Sequence, residues 1–250
     1  MPPGARTKAD HAYQVLRKMI VTGEIPAGEP IDEAALMAIV ESGRTPVRES
    51  LKRLEQEQFV VWPPHKTPYV RSMSLDDVHR LYEARMLMEV PAASLAASRA
   101  TSGQIQLIQQ RQEELRRAAE VGDVYGSIEA DHALHIAITE GSNNKFLTEA
   151  VDRLNCRSLR LWYVAHERVG VEKAAERHQE IIDALRKNAP ESTARAVRDH
   201  IRTSYERQIK INFETLVDPS TNIGRLSLEL AAPSDEKGST RAESATRLCQ

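Results

Sequence analysis

Apolar positions recur at helical spacing from residue 12, and later at strand spacing. Ala12, Val15, Leu16, Met19 and Ile20 follow an i, i+3, i+4, i+7, i+8 rule, and Gly23 stands where that helix would stop. Pro26 and Gly28 mark a turn, after which Asp32 can cap a short second helix that carries Leu36 and Ile39 inward. A third helix is expected after Gly43, with Thr45 as its N-cap and Pro46 as its first helical residue, because proline's missing N–H is not needed there. Val47, Leu51 and Leu54 line one face of this helix, and Arg44, Arg48 and Lys52 recur four apart along another. Phe59-Val60-Val61-Trp62 and Tyr69-Val70-Arg71 read as two strands joined through Pro63–Pro68.

From residue 73 the helical period is nearly continuous. Ser74-x-x-Asp77 and Thr101-x-x-Gln104 are capping boxes, and Gly122-Asp123, Gly141–Asn144, Gly170 and Pro190 mark later breaks. The pattern predicts roughly six helices, an antiparallel bundle. Four zones follow: a flexible tail over 1–8, short helices with two β-like pieces over 9–72, a nearly continuous helical zone over 73–217, and a tail over 218–250. The last is rich in Ser, Thr, Pro and charge and is expected to be disordered. The fold class is mainly α, an N-terminal winged helix-turn-helix followed by the bundle.

Three helices and a two-stranded ribbon suit DNA for a physical reason. An α-helix fits the major groove, and arginine offers a planar fork to guanine or phosphate. Arg44, Thr45, Arg48 and Lys52 are the candidate recognition-helix contacts, and His65 and Lys66 the candidate wing contacts along the backbone or minor groove. Alone, the basic stripe would be an ordinary solvated face; the order of caps, helices and ribbon favours DNA.

The bundle carries polar residues on its inward stripes. Asp131, Leu134, His135 and Ile138 share one face, His178, Ile181, Ile182 and Leu185 another, and Val197, His200, Ile201 and Ser204 a third. Burying an unpaired polar group costs roughly 2–7 kcal/mol. One divalent metal would satisfy Asp131, His135, His178 and His200 together, although each histidine taken singly reads as a hydrogen-bonded core residue. Zinc suits nitrogen-rich ligation best, with nickel, manganese and iron also open. His132 lies off the stripe. Arg85 and Glu89, four apart, read either as a surface ion pair or with Arg85 facing the cavity to hold an effector's carboxylate. Asn144 reads equally as a helix cap or as a residue at the cavity mouth. Trp62, Trp162 and Tyr163 read as packing residues, and Cys156 as core. Neither Cys156 nor Cys249 has a spacing that suggests redox or zinc chemistry.

Composition sharpens the picture. The chain has 250 residues, 41% hydrophobic and 4% aromatic, a mix that favours helices over a β-sandwich. Two cysteines exclude a disulfide-built scaffold. No run approaches the ~18–20 apolar residues of a membrane span, and Met1–Asp10 is polar without an apolar signal core, so a cytoplasmic protein is expected. Net charge is −2, yet residues 42–72 hold six basic residues against three acidic ones (Glu49, Glu55, Glu57), a local positive patch.

The stretch Leu16-Arg17-Lys18-Met19-Ile20-Val21-Thr22-Gly23-Glu24-Ile25-Pro26-Ala27-Gly28-Glu29 resembles the first helix and turn of GntR-type bacterial transcription regulators. Arg44-Thr45-Pro46-Val47-Arg48-Glu49-Ser50-Leu51-Lys52-Arg53-Leu54-Glu55 is similar to that family's recognition-helix signature. Tyr82-Glu83-Ala84-Arg85 with Glu89 is similar to the opening helix of the FCD effector domain of the FadR subfamily, and Asp131-x3-His135, Asn144, His178 and His200 match its later landmarks. The resemblance spans roughly residues 10–215. It departs at Gly43, where the family usually has its glycine two positions earlier, and at Thr67, where the family commonly has glycine. It implies a metal held by three histidines and an aspartate with positions open to a carboxylate, and it favours Arg85 as the effector contact. The lead expectation is a repressor, not an enzyme, acting as a homodimer on double-stranded operator DNA, responsive to a small carboxylate and with no membrane partner. The competing reading is a metal-dependent hydrolase in the bundle. Against it, no second base stands at a motif spacing and there is no His-Glu-x-x-His pattern.

Overall fold

Local chemistry sets the N-terminal elements. The computed structural model describes residues 7–171 and 174–217. Helix α1 runs Lys8–Thr22, within the expected tail by one residue, because Thr7 and Asp10 form a reciprocal capping box. Gly23 ends it in the left-handed region at φ 84°, which glycine adopts without penalty. Helix α2 is Glu33–Ile39, with the Asp32 carboxylate accepting from the Ala34 and Ala35 amides. Leu36 is buried as expected, but Ile39 is exposed.

The α2–α3 turn is closed by the Ser42 amide donating to Met37 O at 3.1 Å, and Glu41 takes φ 48°. The left-handed residue is therefore Glu41, at the position where the family usually carries glycine. A left-handed conformation costs a side-chain-bearing residue roughly 1–2 kcal/mol. Glu41→Gly is accordingly expected to raise unfolding stability by about 0.5–1 kcal/mol, read as a shifted urea midpoint at constant slope; a lower midpoint would show that the Glu41 side chain matters more than its backbone.

Helix α3 spans Arg44–Gln56, and its N-cap is Gly43, with no side-chain cap. This corrects the assignment of Thr45 as N-cap. Thr45 is already helical, and Pro46 still sits in the first turn, where no N–H is needed. Strands β1 (Val60–Val61) and β2 (Tyr69–Val70) pair antiparallel, Val60 opposite Val70, and are shorter than expected. Pro30 bridges to Tyr69, and in the wing turn the left-handed residue is His65 at φ 60°, not Thr67.

Among the described residues six helices follow: α4 (Leu75–Arg99), α5 (Ser102–Glu120), α6 (Val124–Glu140), α7 (Lys145–Val169), α8 (Gln179–Arg186) and α9 (Pro190–Val217). Both expected capping boxes are present at the starts of α4 and α5. Only Ala100 and Thr101 separate these two helices, so the chain must double back. A 3-10 turn, Glu176–His178, leads into α8.

One apolar cluster fills the centre of the bundle around Leu115, Leu134, Ile181 and Ile201. A second holds the N-terminal module together through Leu16, Ile20, Leu51, Leu54 and Val60, and it continues into the bundle through Ile128, Cys156, Leu159 and Trp162. The two expected domains thus share a core, and the described residues through Glu214 form one compact unit. Polar ties follow the same seam. Arg17 pairs with Glu129 of α6, and Arg160 of α7 donates to the Ile20 carbonyl at 2.6 Å. The expected C-terminal tail and Cys249 lie outside the described residues.

Candidate functional site

The inward stripes do converge. Nε2 of His178 lies 3.1 Å from Asp131 Oδ1 and 3.4 Å from Nε2 of His135. Nε2 of His135 lies 3.9 Å from the other Asp131 oxygen. The His200 ring centroid is 4.3 Å from that of His178 and 5.1 Å from that of His135. Each of the three histidines offers one nitrogen within 4.8 Å of the others. Helix α6 supplies Asp131 and His135 one turn apart, the turn before α8 supplies His178, and α9 supplies His200.

The remaining ring nitrogens fix the tautomers. Glu89 Oε2 sits 2.8 Å from His135 Nδ1 and, as an ionised carboxylate, can only accept, so Nδ1 carries the proton. Likewise His178 Nδ1 donates to the Ala174 carbonyl at 3.0 Å. In the neutral rings, both Nε2 atoms therefore present lone pairs toward the same carboxylate. With these tautomers three electron-pair donors face one another, an arrangement that a bound cation would satisfy.

The electrostatics agree. Burial pushes the His178 imidazole down to about 4 despite the pull of Asp131, and burial with the neighbouring His178 and His135 rings holds His200 well below its usual value. Burial would raise Asp131, but the surrounding imidazoles hold it low. Neutral imidazoles beside an ionised carboxylate form a ligand set for a divalent ion.

Arg85 is not on the surface; it is fully buried. Its Nε donates to Glu89 Oε1 at 2.7 Å, and its guanidinium carbon lies 4.9 Å from the Tyr82 ring centroid and 4.8 Å from that of Trp162. Both Nη atoms are buried without a hydrogen-bond partner among the described residues. Burial would raise Glu89, but Arg85 and His135 hold its carboxyl down to about 2. A cavity of about 20 Å3, room for one water-sized particle, opens over Asp131, His178 and His200.

The sequence reading passed over several of the residues at this cavity. Trp162 is not only packing: it lines the cavity and stacks against His135. His166, Arg177 and Arg207 line it too, and His166 is pushed by burial to about 4. His166 lies one turn beyond Trp162 on α7, a spacing that could have revealed it. Asn144 sits elsewhere. Its side-chain oxygen caps α7 by accepting from the Phe146 and Leu147 amides, and it does not line the cavity. The structure thus gives the capping alternative and provides no cavity-mouth role.

The candidate DNA contacts are mostly exposed. Arg44, Thr45 and Lys52 are exposed on α3, and His65 and Lys66 are exposed in the wing. Arg48 is half-buried. It donates to both Glu33 oxygens, at 2.7 and 3.1 Å, and lies over the Trp62 ring at 4.6 Å.

A winged helix followed by an all-helical domain defines a class, the bacterial transcription regulators that join a DNA-binding module to a second, helical domain. The model of bacterial regulatory proteins of the gntR family matches residues 8–70, and that of the FCD domain matches residues 80–203. The chain belongs to the gntR family and carries an FCD domain, consistent with the FadR subfamily. Among curated relatives, the HTH-type transcriptional repressor RspR of Escherichia coli (strain K12) is 26% identical over 201 residues, covering 79% of this chain and 88% of the relative. A probable D-xylose utilization operon transcriptional repressor of Paenarthrobacter nicotinovorans is 26% identical over 195 residues, covering 78% and 86%. In fold, the chain is similar to E. coli McbR/YncC, at a TM-score of 0.70 and 20% identity over 82% of this chain and 99% of that one. A putative GntR regulator from Rhodococcus sp. RHA1 gives 0.66 and 19% over 81% and 98%. The family and these relatives are transcription regulators, not enzymes, and the hydrolase reading finds no support. Among the described residues, no helix is long and apolar enough to cross a membrane.

Proposed function

We propose that this DNA-binding regulator is a homodimeric repressor whose bundle, residues 73–217, senses a small organic acid through a divalent metal. Asp131, His135, His178 and His200 hold the ion, with zinc the best match to three nitrogens and one oxygen. The observation that carries the reading is the convergence of the His135 and His178 Nε2 atoms on the Asp131 carboxylate. The metal would supply a Lewis-acidic anchor for a carboxylate. Arg85 would add a bidentate contact through its two unpartnered Nη atoms, and Arg177 and Arg207 make the lining cationic. A cavity of about 20 Å3 is too small for an organic acid, so binding requires the surrounding helices to part. An effector can act only by favouring that opened arrangement over the closed one.

On DNA, Arg44, Thr45, Arg48 and Lys52 would enter the major groove while His65 and Lys66 follow the backbone or minor groove. Arg48 must exchange Glu33 for the nucleic acid. In gel-shift titrations across salt concentrations, Arg48→Ala is expected to weaken operator binding roughly 10- to 100-fold. Its slope in log salt should be shallower by about one if the contact is to phosphate. Unchanged affinity would remove α3 as the reader. In the unsubstituted chain, organic acids are to be screened for loss of operator binding that EDTA abolishes; a response indifferent to EDTA would count against the metal-linked sensor.

A further inference from the structure

Outside the histidine centre, α6 and α7 bring a second group of ligand-type side chains together. His132 Nε2 lies 2.9 Å from Asp152 Oδ1. Cys156 Sγ lies 4.0 Å from the same His132 nitrogen and 3.9 Å from the same Asp152 oxygen. Asp152 and Cys156 stand one turn apart on α7, and His132 meets them from α6. Cys156 is 6% exposed, whereas half of the Asp152 side chain is open, so a buried thiol forms the floor of a site that solvent enters past Asp152.

The spacing fits a metal. Around a tetrahedral zinc, with bonds of roughly 2.3 Å to sulfur and 2.0 Å to nitrogen or oxygen, donor atoms stand about 3.3–3.6 Å apart. The observed triangle brackets those separations, and side-chain torsions can close a difference of about half an ångström. The bland alternative is a His–Asp hydrogen bond with a thiol nearby. That pair would be complete without sulfur, yet the thiol's two polar neighbours are these same two atoms.

We propose that His132, Asp152 and Cys156 form a second metal site, one that takes a thiolate-preferring divalent ion such as Zn2+ and leaves a fourth position to water. On binding, the thiol proton passes to solvent, the proton that His132 Nε2 donates to Asp152 in the metal-free cluster is relocated through solvent to Nδ1, and Nε2, the carboxylate and the sulfur become the donors. Burial, with Asp152 alongside, pushes the free thiol up to about 12, so the metal-free cluster holds no nucleophilic thiolate. The two centres differ in chemistry. One offers nitrogen and oxygen only; the other includes sulfur, which shifts its preference toward softer ions. The inference is independent of the sensor reading.

Cobalt separates the two centres, because only a sulfur ligand gives a sulfur-to-cobalt charge-transfer band in the near ultraviolet. The full-length chain, reduced and carrying Cys249→Ser to remove the other thiol, is to be titrated with Co2+. The expected result is a near-ultraviolet band that saturates within two equivalents, one for each centre, and is bleached by Zn2+. Cys156→Ser should abolish the band while leaving cobalt at the histidine centre, and His178→Ala should leave the band intact. Asp152→Asn, at a half-exposed position where folding is not at stake, should weaken the band-forming affinity at least tenfold. A saturated protein without the band, a band that survives Cys156→Ser, or one that disappears with His178→Ala would overturn the proposal.

Discussion

Alanine at His178 is expected to abolish metal binding at the histidine centre and, with it, the response of operator binding to the effector. In a Cys156→Ser background, where the sulfur-containing cluster is silenced, metal analysis after desalting should show the parent retaining one equivalent and the His178→Ala chain none. Losing a group that merely orients a ligand typically costs 10- to 100-fold in metal affinity, so losing a ligand should cost more than about 100-fold. The apolar cluster that holds the winged helix, around Leu16, Leu51 and Leu54, continues into the bundle through α6 and α7 and not through the turn that carries His178, so effector-free operator affinity should stay near the parent value. Stoichiometric metal in the variant would sink the proposed ligand set.

The second large effect is expected at Glu89. Its carboxylate holds Arg85 Nε at 2.7 Å and His135 Nδ1 at 2.8 Å, all within the core. Glu89→Ala leaves a guanidinium buried without a counter-charge, and breaking one side of a buried pair costs about 3–5 kcal/mol. Total stabilities run only about 5–15 kcal/mol, so the urea midpoint should fall steeply. Metal affinity should fall by roughly 10- to 100-fold as His135 loses its orienting partner. The double substitution Arg85→Met with Glu89→Leu should recover much of the stability, because the lone charge is gone, but not the effector response. A midpoint unmoved in Glu89→Ala would mean that water reaches Arg85 in solution.

Local signals made much of this legible in the sequence. Capping boxes at Ser74 and Thr101 marked the starts of α4 and α5, and the 3.6-residue stripes placed Asp131, His135, His178 and His200 inward. What escaped was non-local or depended on backbone angles. Glu89 and His135 are 46 residues apart, so the bond that sets the tautomer has no spacing to announce it. The N-cap fell on Gly43 rather than Thr45 because the closing turn places Glu41 in the left-handed region and starts the helix two residues early. His132 was discounted for lying off the metal stripe. That same offset turns it toward α7, where Asp152 and Cys156 wait one turn apart. Helix α7 itself is apolar on more than one side, which single-face periodicity could not show, and for that reason the core shared between reader and bundle was not foreseen.

Arg160 and Trp162 stand two residues apart on α7 and so project from nearly opposite sides of it. Trp162 forms part of the cavity wall, while Arg160 grips the last turn of α1 through the Ile20 carbonyl. Cavity wall and anchor of the N-terminal module are thus two sides of one helix, and a substitution that displaced α7 would disturb both at once.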